Sequence, residues 1–187
     1  QKEFTQYFPK NGWVEHDPEE IWKTTIKTLR DVIQKVNKLK GEILTIGITN
    51  QRETTVLWDK KTGKAVYRAI VWQDRRTENY CKKLRKQNKD TAIFNKTGLL
   101  IDPYFSGTKI KWILDNVPKA RYLMSKNQLL FGTIDSFLIW RLTKGKVHAT
   151  DATNASRTMI YNISSNKWDD GILNLLKIKK NILPEVK

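Results

Sequence analysis

The segment from 49 to 55 carries the side chains best suited to bind a hydroxylated ligand. Arg52 offers a planar fork of hydrogen-bond donors, and the neighbouring Glu53 offers carboxylate acceptors. Each hydroxyl group of a polyol both donates and accepts hydrogen bonds, so a polyol site needs both kinds of partner. A solvated turn with an incidental pair of opposite charges shows the same pattern, and the pattern alone favours that simpler interpretation.

A second candidate segment, 102–109, is an aromatic-rich loop that runs into a predicted helix. Tyr104 offers a hydroxyl group on an apolar ring. Ser106 and Thr108 are suited to cap the helix, and capping is the simpler interpretation of this segment. Trp72 ends a predicted strand and could present its indole face to the carbon skeleton of a sugar, although such a tryptophan more often lies in the core.

A predicted helix and strand precede the first polar segment. Asp17 suits the N-cap of the helix, Pro18 suits its first position, and Glu20 gives the spacing of a capping box. Apolar residues then recur every three or four positions. The run 43–48 lacks clear alternation, which is typical of a strand covered on both faces. Because ligands of α/β sheets bind beyond the carboxyl ends of strands, this strand would present segment 49–55 at such an end.

The rest of the chain predicts further strands and helices. Asp59–Lys64 is typical of a hairpin turn, so part of the strand pairing is antiparallel. Strands are expected at 56–58, 66–72 and 159–163, and helices at 75–88, at 106–117 before Pro118, after a cap at Thr133, and at 168–176. We therefore predict an α/β fold with a mixed sheet and flanking helices.

The composition indicates one folded domain. Hydrophobic residues make up 39% of the 187 residues, and a domain of this length buries roughly 70% of the surface of its unfolded chain. No apolar run approaches the roughly 20 residues of a membrane-spanning helix, so we expect no membrane span. The single cysteine, Cys81, cannot form an internal disulfide bond. Together with the lack of a signal segment, this favours a cytoplasmic location.

The charge balance leaves one function of another class open. Lys and Arg number 35 against 19 Asp and Glu, which gives a net charge of +16. A basic nucleic-acid-binding module is therefore the alternative to a small-molecule enzyme. The lysines are spread over predicted helices, and zinc-finger, RRM and basic-zipper signatures are missing. We accordingly expect no nucleic-acid partner.

Common nucleotide-binding and metal-binding motifs are missing as well. The chain contains no Gly-rich phosphate loop of the Walker or dinucleotide type. His16 and His148 lie far apart and lack neighbouring cysteines or carboxylates at metal-binding spacing, so we predict structural roles for both. No metal ligand or cofactor-binding residue is predicted within this chain.

Several longer motifs follow one another in collinear order. They are GWVEHDP at 12–18, GITNQRETT at 47–55, AIVWQDRR at 69–76, the stretch 98–115, LFGTID at 130–135 and TDATNASRT at 150–158. Ser106, Lys109 and Trp112 also have the spacing of a signature shared by sugar kinases. On these motifs, the chain resembles the FGGY family of carbohydrate kinases over essentially its whole length.

The resemblance implies a ribonuclease H-like fold of the actin-like ATPase type. It implies an enzyme that phosphorylates glycerol to sn-glycerol 3-phosphate with ATP and Mg²⁺, with a kinase for another polyol or sugar as the alternative. By the same resemblance, Arg52 and Glu53 hold glycerol hydroxyl groups, Tyr104 bonds a further hydroxyl group, and Trp72 packs against the carbon backbone. The full-length enzyme is expected to form a homo-oligomer.

The resemblance also implies that this chain is part of an N-terminal, polyol-binding domain. A phosphate-binding hairpin is expected before Gln1, and the catalytic aspartate and the ATP-binding domain are expected beyond Lys187. Asp102, Asp135 and Asp151 do not occupy the expected catalytic position, so no catalytic residue is assigned. A segment without base and phosphate cradle is expected to be inactive alone.

Overall fold

The computed structural model describes residues 1–187, which form short strands interleaved with eight α-helices. The helices are α1 (Pro18–Lys38), α2 (Glu78–Lys86), α3 (Asp90–Thr97), α4 (Ser106–Asn116), α5 (Pro118–Ser125), α6 (Ile134–Leu142), α7 (Ala152–Ala155) and α8 (Asp170–Leu176). The strands are β1 (Gln6–Tyr7), β2 (Glu15–His16), β3 (Val56–Asp59), β4 (Ala69–Ile70), β5 (Leu129–Gly132), β6 (Ala149–Thr150), β7 (Tyr161–Asn162), β8 (Lys167–Trp168) and β9 (Glu185–Val186). Two 3-10 turns cover Ser156–Thr158 and Lys180–Ile182. No helix combines the length and the apolar character that crossing a bilayer requires.

The strands pair in both directions, as the prediction of a mixed α/β fold requires. Strands β1, β2 and β4 form an antiparallel sheet, and β3 pairs antiparallel with β5. Strands β7 and β8 are also antiparallel, whereas β6 and β9 are parallel. An antiparallel bridge from Thr55 to Ile70 links the start of β3 to β4. The α/β prediction is confirmed, but the strands form four small sheets instead of one continuous sheet.

Two clusters of buried side chains hold these elements together. The larger cluster surrounds α4, whose Ile110, Ile113 and Leu114 are buried among residues of α2, α5, α8 and the last strands. The smaller cluster packs α6 against β3, with the Trp58 and Phe137 rings 5.4 Å apart in an edge-to-face arrangement. Helix α4 is therefore fixed by its packing in the larger cluster.

Helix α1 begins as predicted, but one of its capping contacts differs. The Asp17 carboxylate accepts a hydrogen bond of 2.9 Å from the backbone N–H of Glu19, which confirms the N-cap. Glu20 does not form a capping box. Its carboxylate accepts instead from the Tyr7 hydroxyl at 2.6 Å and the Thr5 N–H at 2.9 Å. In a capping box the Glu20 carboxylate would accept from the backbone N–H of Asp17. Here the Tyr7 hydroxyl group and the Thr5 N–H of the N-terminal segment take the place of that donor.

The strand predicted at 43–48 is wrong for this structure. The segment has no regular secondary structure, and Leu44 is 86% exposed. A strand needs a neighbouring strand to complete its ladder of hydrogen bonds, and no strand in residues 1–187 pairs with this segment. With α1 and α6 it instead lines an open apolar cleft of about 440 Å³.

Most of the remaining secondary-structure predictions are confirmed, but the strands expected at 66–72 and 159–163 are regular only at β4 and β7. The hairpin turn after β3 forms, with a bridge between Trp58 and Ala65, although the strand that pairs along β3 is β5, which the sequence pattern did not predict. Helices α2, α4, α6 and α8 lie within the predicted ranges. Pro118 ends α4 and also occupies the first position of α5, where its missing N–H is tolerated.

Candidate functional site

The first candidate segment forms a turn that places Glu53 in the interior. Glu53 is only 4% exposed, whereas Arg52 projects into solvent. The backbone of Glu53 has φ of 62°, in the left-handed region that residues with a Cβ rarely adopt. Such a conformation persists only where surrounding contacts hold it. The simpler interpretation of this segment as a solvated turn is therefore wrong for Glu53, because its side chain is buried.

The Glu53 carboxylate is oriented by an arginine that lies 104 positions away in the chain. The Nε–H of Arg157, on the 3-10 turn before β7, donates to Glu53 Oε1 at 2.7 Å. Glu53 Oε2 accepts no hydrogen bond from the protein and remains open to a ligand hydroxyl group. We did not predict a role for Arg157 from the sequence. The only sequence signal for a role of Arg157 was its position within the TDATNASRT motif.

The start of α4 holds the Glu53 turn through its carbonyl oxygen. Ser106 Oγ donates to Glu53 O at 3.3 Å, and Lys109 Nζ donates to the same oxygen at 3.1 Å. Thr108 pairs with Thr77 Oγ1 at 2.9 Å. Neither hydroxyl group caps α4, so the simpler interpretation of segment 102–109 is wrong. Both side chains instead bond to residues distant in the sequence.

Aromatic rings form one wall next to the Glu53 turn. The rings of Trp72 and Tyr104 are 5.5 Å apart and tilted, and Trp72 is 37% exposed. The Arg157 guanidinium lies 5.8 Å from the Tyr104 ring and 5.0 Å from the Phe105 ring. Arg157 therefore contacts both the carboxylate and the aromatic wall. Three predicted residues, Glu53, Tyr104 and Trp72, are linked through these contacts, and Arg52 precedes Glu53 on the same turn.

A buried ion network supports the loop that carries Trp72. The side chain of Arg76 is fully buried, and its Nη2 lies 2.8 Å from both Asp74 Oδ2 and Glu15 Oε1. Its guanidinium stacks 3.8 Å from the Trp13 ring. Burial works against the charge of Arg76, but its bonds to Asp74 and Glu15 outweigh burial and raise its pKa. This network anchors the backbone that follows Trp72.

A second polar network fixes the beginning of the 49–55 segment. Asn50 donates from Nδ2 to Thr133 Oγ1 at 3.1 Å and to Asn154 Oδ1 at 2.9 Å, and its Oδ1 accepts from the Asp135 N–H at 3.1 Å. Asp135 accepts in turn from Thr150 Oγ1 at 2.7 Å. Thr133 occupies the predicted N-cap of α6, but its hydroxyl group donates to the Asp135 carboxylate and makes no capping bond.

Asp151 and Asp102, like Asp135, make hydrogen bonds that stabilise loops. Asp151 accepts from the Asn154 N–H at 2.8 Å at the start of α7. Asp102 accepts from the Tyr104 N–H at 2.8 Å and from Arg75 at 3.0 Å. These bonds shape the loops on either side of the site.

The residues around Glu53 do not include the cluster of carboxylates that a dedicated metal centre requires. No group of three His, Cys, Asp or Glu side chains gathers at metal-binding distance in residues 1–187. Glu53 supplies only one carboxylate, and Arg157 already donates to one of its two oxygens. What the site offers chemically is hydrogen-bond donors and acceptors beside aromatic faces, which suits a small polyhydroxylated molecule.

Comparisons with known proteins match the chain over its whole length. The model of the N-terminal domain of the FGGY family of carbohydrate kinases matches residues 1–187. Glycerol kinases of Malacoplasma penetrans and of Bradyrhizobium sp. ORS 278 are 62% and 58% identical over all 187 residues. The chain spans 37% of the length of each of these two relatives.

Solved structures show the same fold. The crystal structure of Plasmodium falciparum glycerol kinase with ADP superposes with a TM-score of 0.94 at 39% identity, and covers the whole chain with 37% of its own length. A ligand-bound xylulose kinase from Lactobacillus acidophilus gives a TM-score of 0.86 at 27% identity, again over the whole chain and 36% of its own. Sugar kinases with different substrates therefore share this arrangement of elements.

Proposed function

The chain belongs to the FGGY family of carbohydrate kinases, and from this premise we propose that the protein containing it transfers a phosphoryl group from ATP to glycerol. The buried Glu53 carboxylate carries the proposal, because one of its oxygens is bound by Arg157, which also contacts the aromatic wall, and the other has no partner in residues 1–187. Relatives named glycerol kinase at 58% and 62% identity over the entire chain support glycerol as the substrate.

We assign this chain to the polyol-binding part of the protein's N-terminal domain. In this assignment, Glu53 Oε2 accepts from one glycerol hydroxyl group and Arg52 donates to a neighbouring hydroxyl oxygen. The Tyr104 hydroxyl group bonds a third position, and the exposed face of Trp72 packs against the carbon backbone. A site that satisfies each hydroxyl group rejects analogues that leave its buried polar groups unpaired.

The phosphoryl donor is assigned to the rest of the protein. ATP and Mg²⁺ supply the phosphoryl group and neutralise its developing charge when they are bound. Residues 1–187 provide no carboxylate cluster for the metal. The contribution of this chain is therefore to bind and orient the acceptor alcohol, which makes its attack on the phosphorus effectively intramolecular.

The proposal is tested by steady-state kinetics of the full-length protein with Arg52→Ala and Glu53→Ala. Each substitution removes hydrogen bonds to a charged group, worth about 1.5–3 kcal/mol, so kcat/KM for glycerol should fall by about 10- to 100-fold or more. Arg121→Ala, which removes an exposed arginine of α5, is the matched control and should leave the kinetics unchanged. Unchanged kinetics in both site variants would refute the site assignment.

A substrate panel decides between glycerol and another substrate of the family. The wild-type protein is compared on glycerol, xylulose and gluconate at equal concentrations. A higher kcat/KM for xylulose or gluconate than for glycerol would overturn the assignment of substrate, while leaving the kinase assignment intact.

A further inference from the structure

One lysine is completely buried between the two candidate segments. Lys109, in the first turn of α4, is 0% exposed. Its Nζ donates to the carbonyl oxygen of Tyr104 at 2.7 Å and to the carbonyl oxygen of Glu53 at 3.1 Å. One amino group thus ties together two loops that are 51 positions apart in the sequence and carry proposed glycerol contacts.

Packing alone does not account for a lysine in this place. Burying an amino group is unfavourable unless its hydrogen bonds are satisfied, and an apolar side chain of similar length fills the same space without that penalty. What a lysine adds is two directed donors. They act where a backbone with positive φ needs support, because Glu53 adopts φ of 62° and its carbonyl oxygen also accepts from Ser106.

We propose that Lys109 is a positioning residue, which fixes the Glu53 carboxylate relative to the Tyr104 ring and thereby sets the hydroxyl spacing that the site accepts. The proposal rests on the proposed function, because it concerns the same glycerol site. Arg157 and Lys109 then have separate tasks: Arg157 directs the carboxylate, and Lys109 holds the backbone beneath it.

The electrostatic surroundings are consistent with this role. Burial lowers the pKa of Lys109 to about 7, while Asp74 and Glu53 act in the opposite direction. A charged ammonium group has three N–H donors and a neutral amine has two. Either form can therefore satisfy both carbonyl oxygens, and the two loops stay connected in both protonation states.

The test uses Lys109→Met in the full-length protein, with Lys119→Met as the matched control. Methionine has a similar length and lacks donors, and Lys119 is exposed on α5. Displacing the Glu53 carboxylate weakens its hydrogen bond to glycerol, and losing a hydrogen bond to a charged group weakens binding by about 10- to 100-fold. We expect KM for glycerol to rise by about 10- to 100-fold, KM for ATP to change less than about twofold, and the control to match the wild type.

Hydrogen–deuterium exchange gives a readout that does not depend on activity. In Lys109→Met, the amides of 51–55 and 104–106 should exchange faster than in the wild type, with little change in the strands of the core. If Lys109→Met does not fold, Ser106→Ala replaces it. This variant removes one neutral hydrogen bond to the Glu53 carbonyl oxygen, and KM for glycerol should rise by about two- to tenfold.

Each outcome bears on the proposal. A folded Lys109→Met protein with unchanged KM for glycerol and unchanged exchange in both segments overturns it. A lower kcat with unchanged KM values also overturns it, since that result indicates a smaller active fraction. If the wild-type protein does not phosphorylate glycerol, the proposed function fails, and the exchange measurement alone still decides the role of Lys109.

Discussion

Replacing Arg157 by alanine tests whether a residue whose role only the folded structure reveals supports the proposed glycerol site. Arg157 makes two kinds of contact there, a 2.7 Å hydrogen bond from Nε to Glu53 Oε1 and a stacking contact 5.0 Å from the Phe105 ring. Alanine removes both and leaves the buried Glu53 carboxylate without a fixed direction. We therefore expect weaker glycerol binding in the full-length protein.

The structure sets the expected magnitude. A hydrogen bond to a charged group contributes about 1.5–3 kcal/mol. The side chain of Arg157 is 33% exposed, so solvent screens part of the interaction and favours the lower half of that range. A loss of about 1.5–2 kcal/mol corresponds to roughly a 10- to 30-fold lower kcat/KM for glycerol.

The assay compares Arg157→Ala, Arg157→Lys and Arg121→Ala by coupled kinase kinetics and thermal unfolding. Lysine keeps the charge but not the planar donor, so Arg157→Lys should fall between the wild type and Arg157→Ala. Arg121 is exposed on α5 and serves as the control. A kcat/KM within twofold of the wild type for a stably folded Arg157→Ala protein refutes the reasoning.

Two further predictions concern stability. In Gly132→Ala, the new Cβ would lie 2.5 Å from Ser136 Cβ and 3.0 Å from the Trp58 ring, so the free energy of unfolding should fall by about 1–3 kcal/mol in urea titrations. Gly171→Ala, whose Cβ meets only the ends of two polar side chains, is the control, and an equal effect of both substitutions contradicts the overpacking argument. Burial lowers the pKa of His148, so below about pH 6.5 the unfolded chain binds more protons than the folded chain, and stability falls as pH falls. His148→Gln should lose less stability than the wild type between about pH 7 and about pH 5, and a parallel loss in both proteins contradicts this assignment.

Gly132 and His148 are connected to the candidate site through β5 and α6. His148 Nε2 donates to the carbonyl oxygen of Phe131 at 2.8 Å, next to Gly132 at the end of β5. The chain then continues through Thr133 and Asp135, whose network fixes Asn50 at the start of the 49–55 segment. Loosening β5 should therefore also weaken the support of the proposed glycerol site.

Local signals in the sequence were sufficient for several elements. The caps and periodicity of α1 are local properties, since Asp17 bonds a backbone N–H only two residues away. Helix α4 was predictable for the same reason, from apolar spacing and the following Pro118. Long collinear motifs also indicated the family, which the match over residues 1–187 establishes.

The hydrogen-bond partners of side chains and the pairing partners of strands were not predictable, because they depend on which groups the fold brings together. Ser106 and Thr108 have the right types for capping, yet their hydroxyl groups bond Glu53 and Thr77 instead. The run 43–48 has the composition of a buried strand, but a strand also needs a neighbour, and residues 1–187 provide none. Composition describes what a segment can do, whereas pairing requires a second segment at the right distance.

The sequence by itself determined the family, the main helices and the two polar segments, because periodicity, capping and motif spacing act over a few residues. Only the tertiary structure decided that Glu53 is buried, that Arg157 directs its carboxylate and that Lys109 joins its carbonyl oxygen to that of Tyr104. Hydrogen bonds form over about 3 Å in space, and sequence separation carries no information about that distance. The proposed glycerol site is therefore a property of the folded chain.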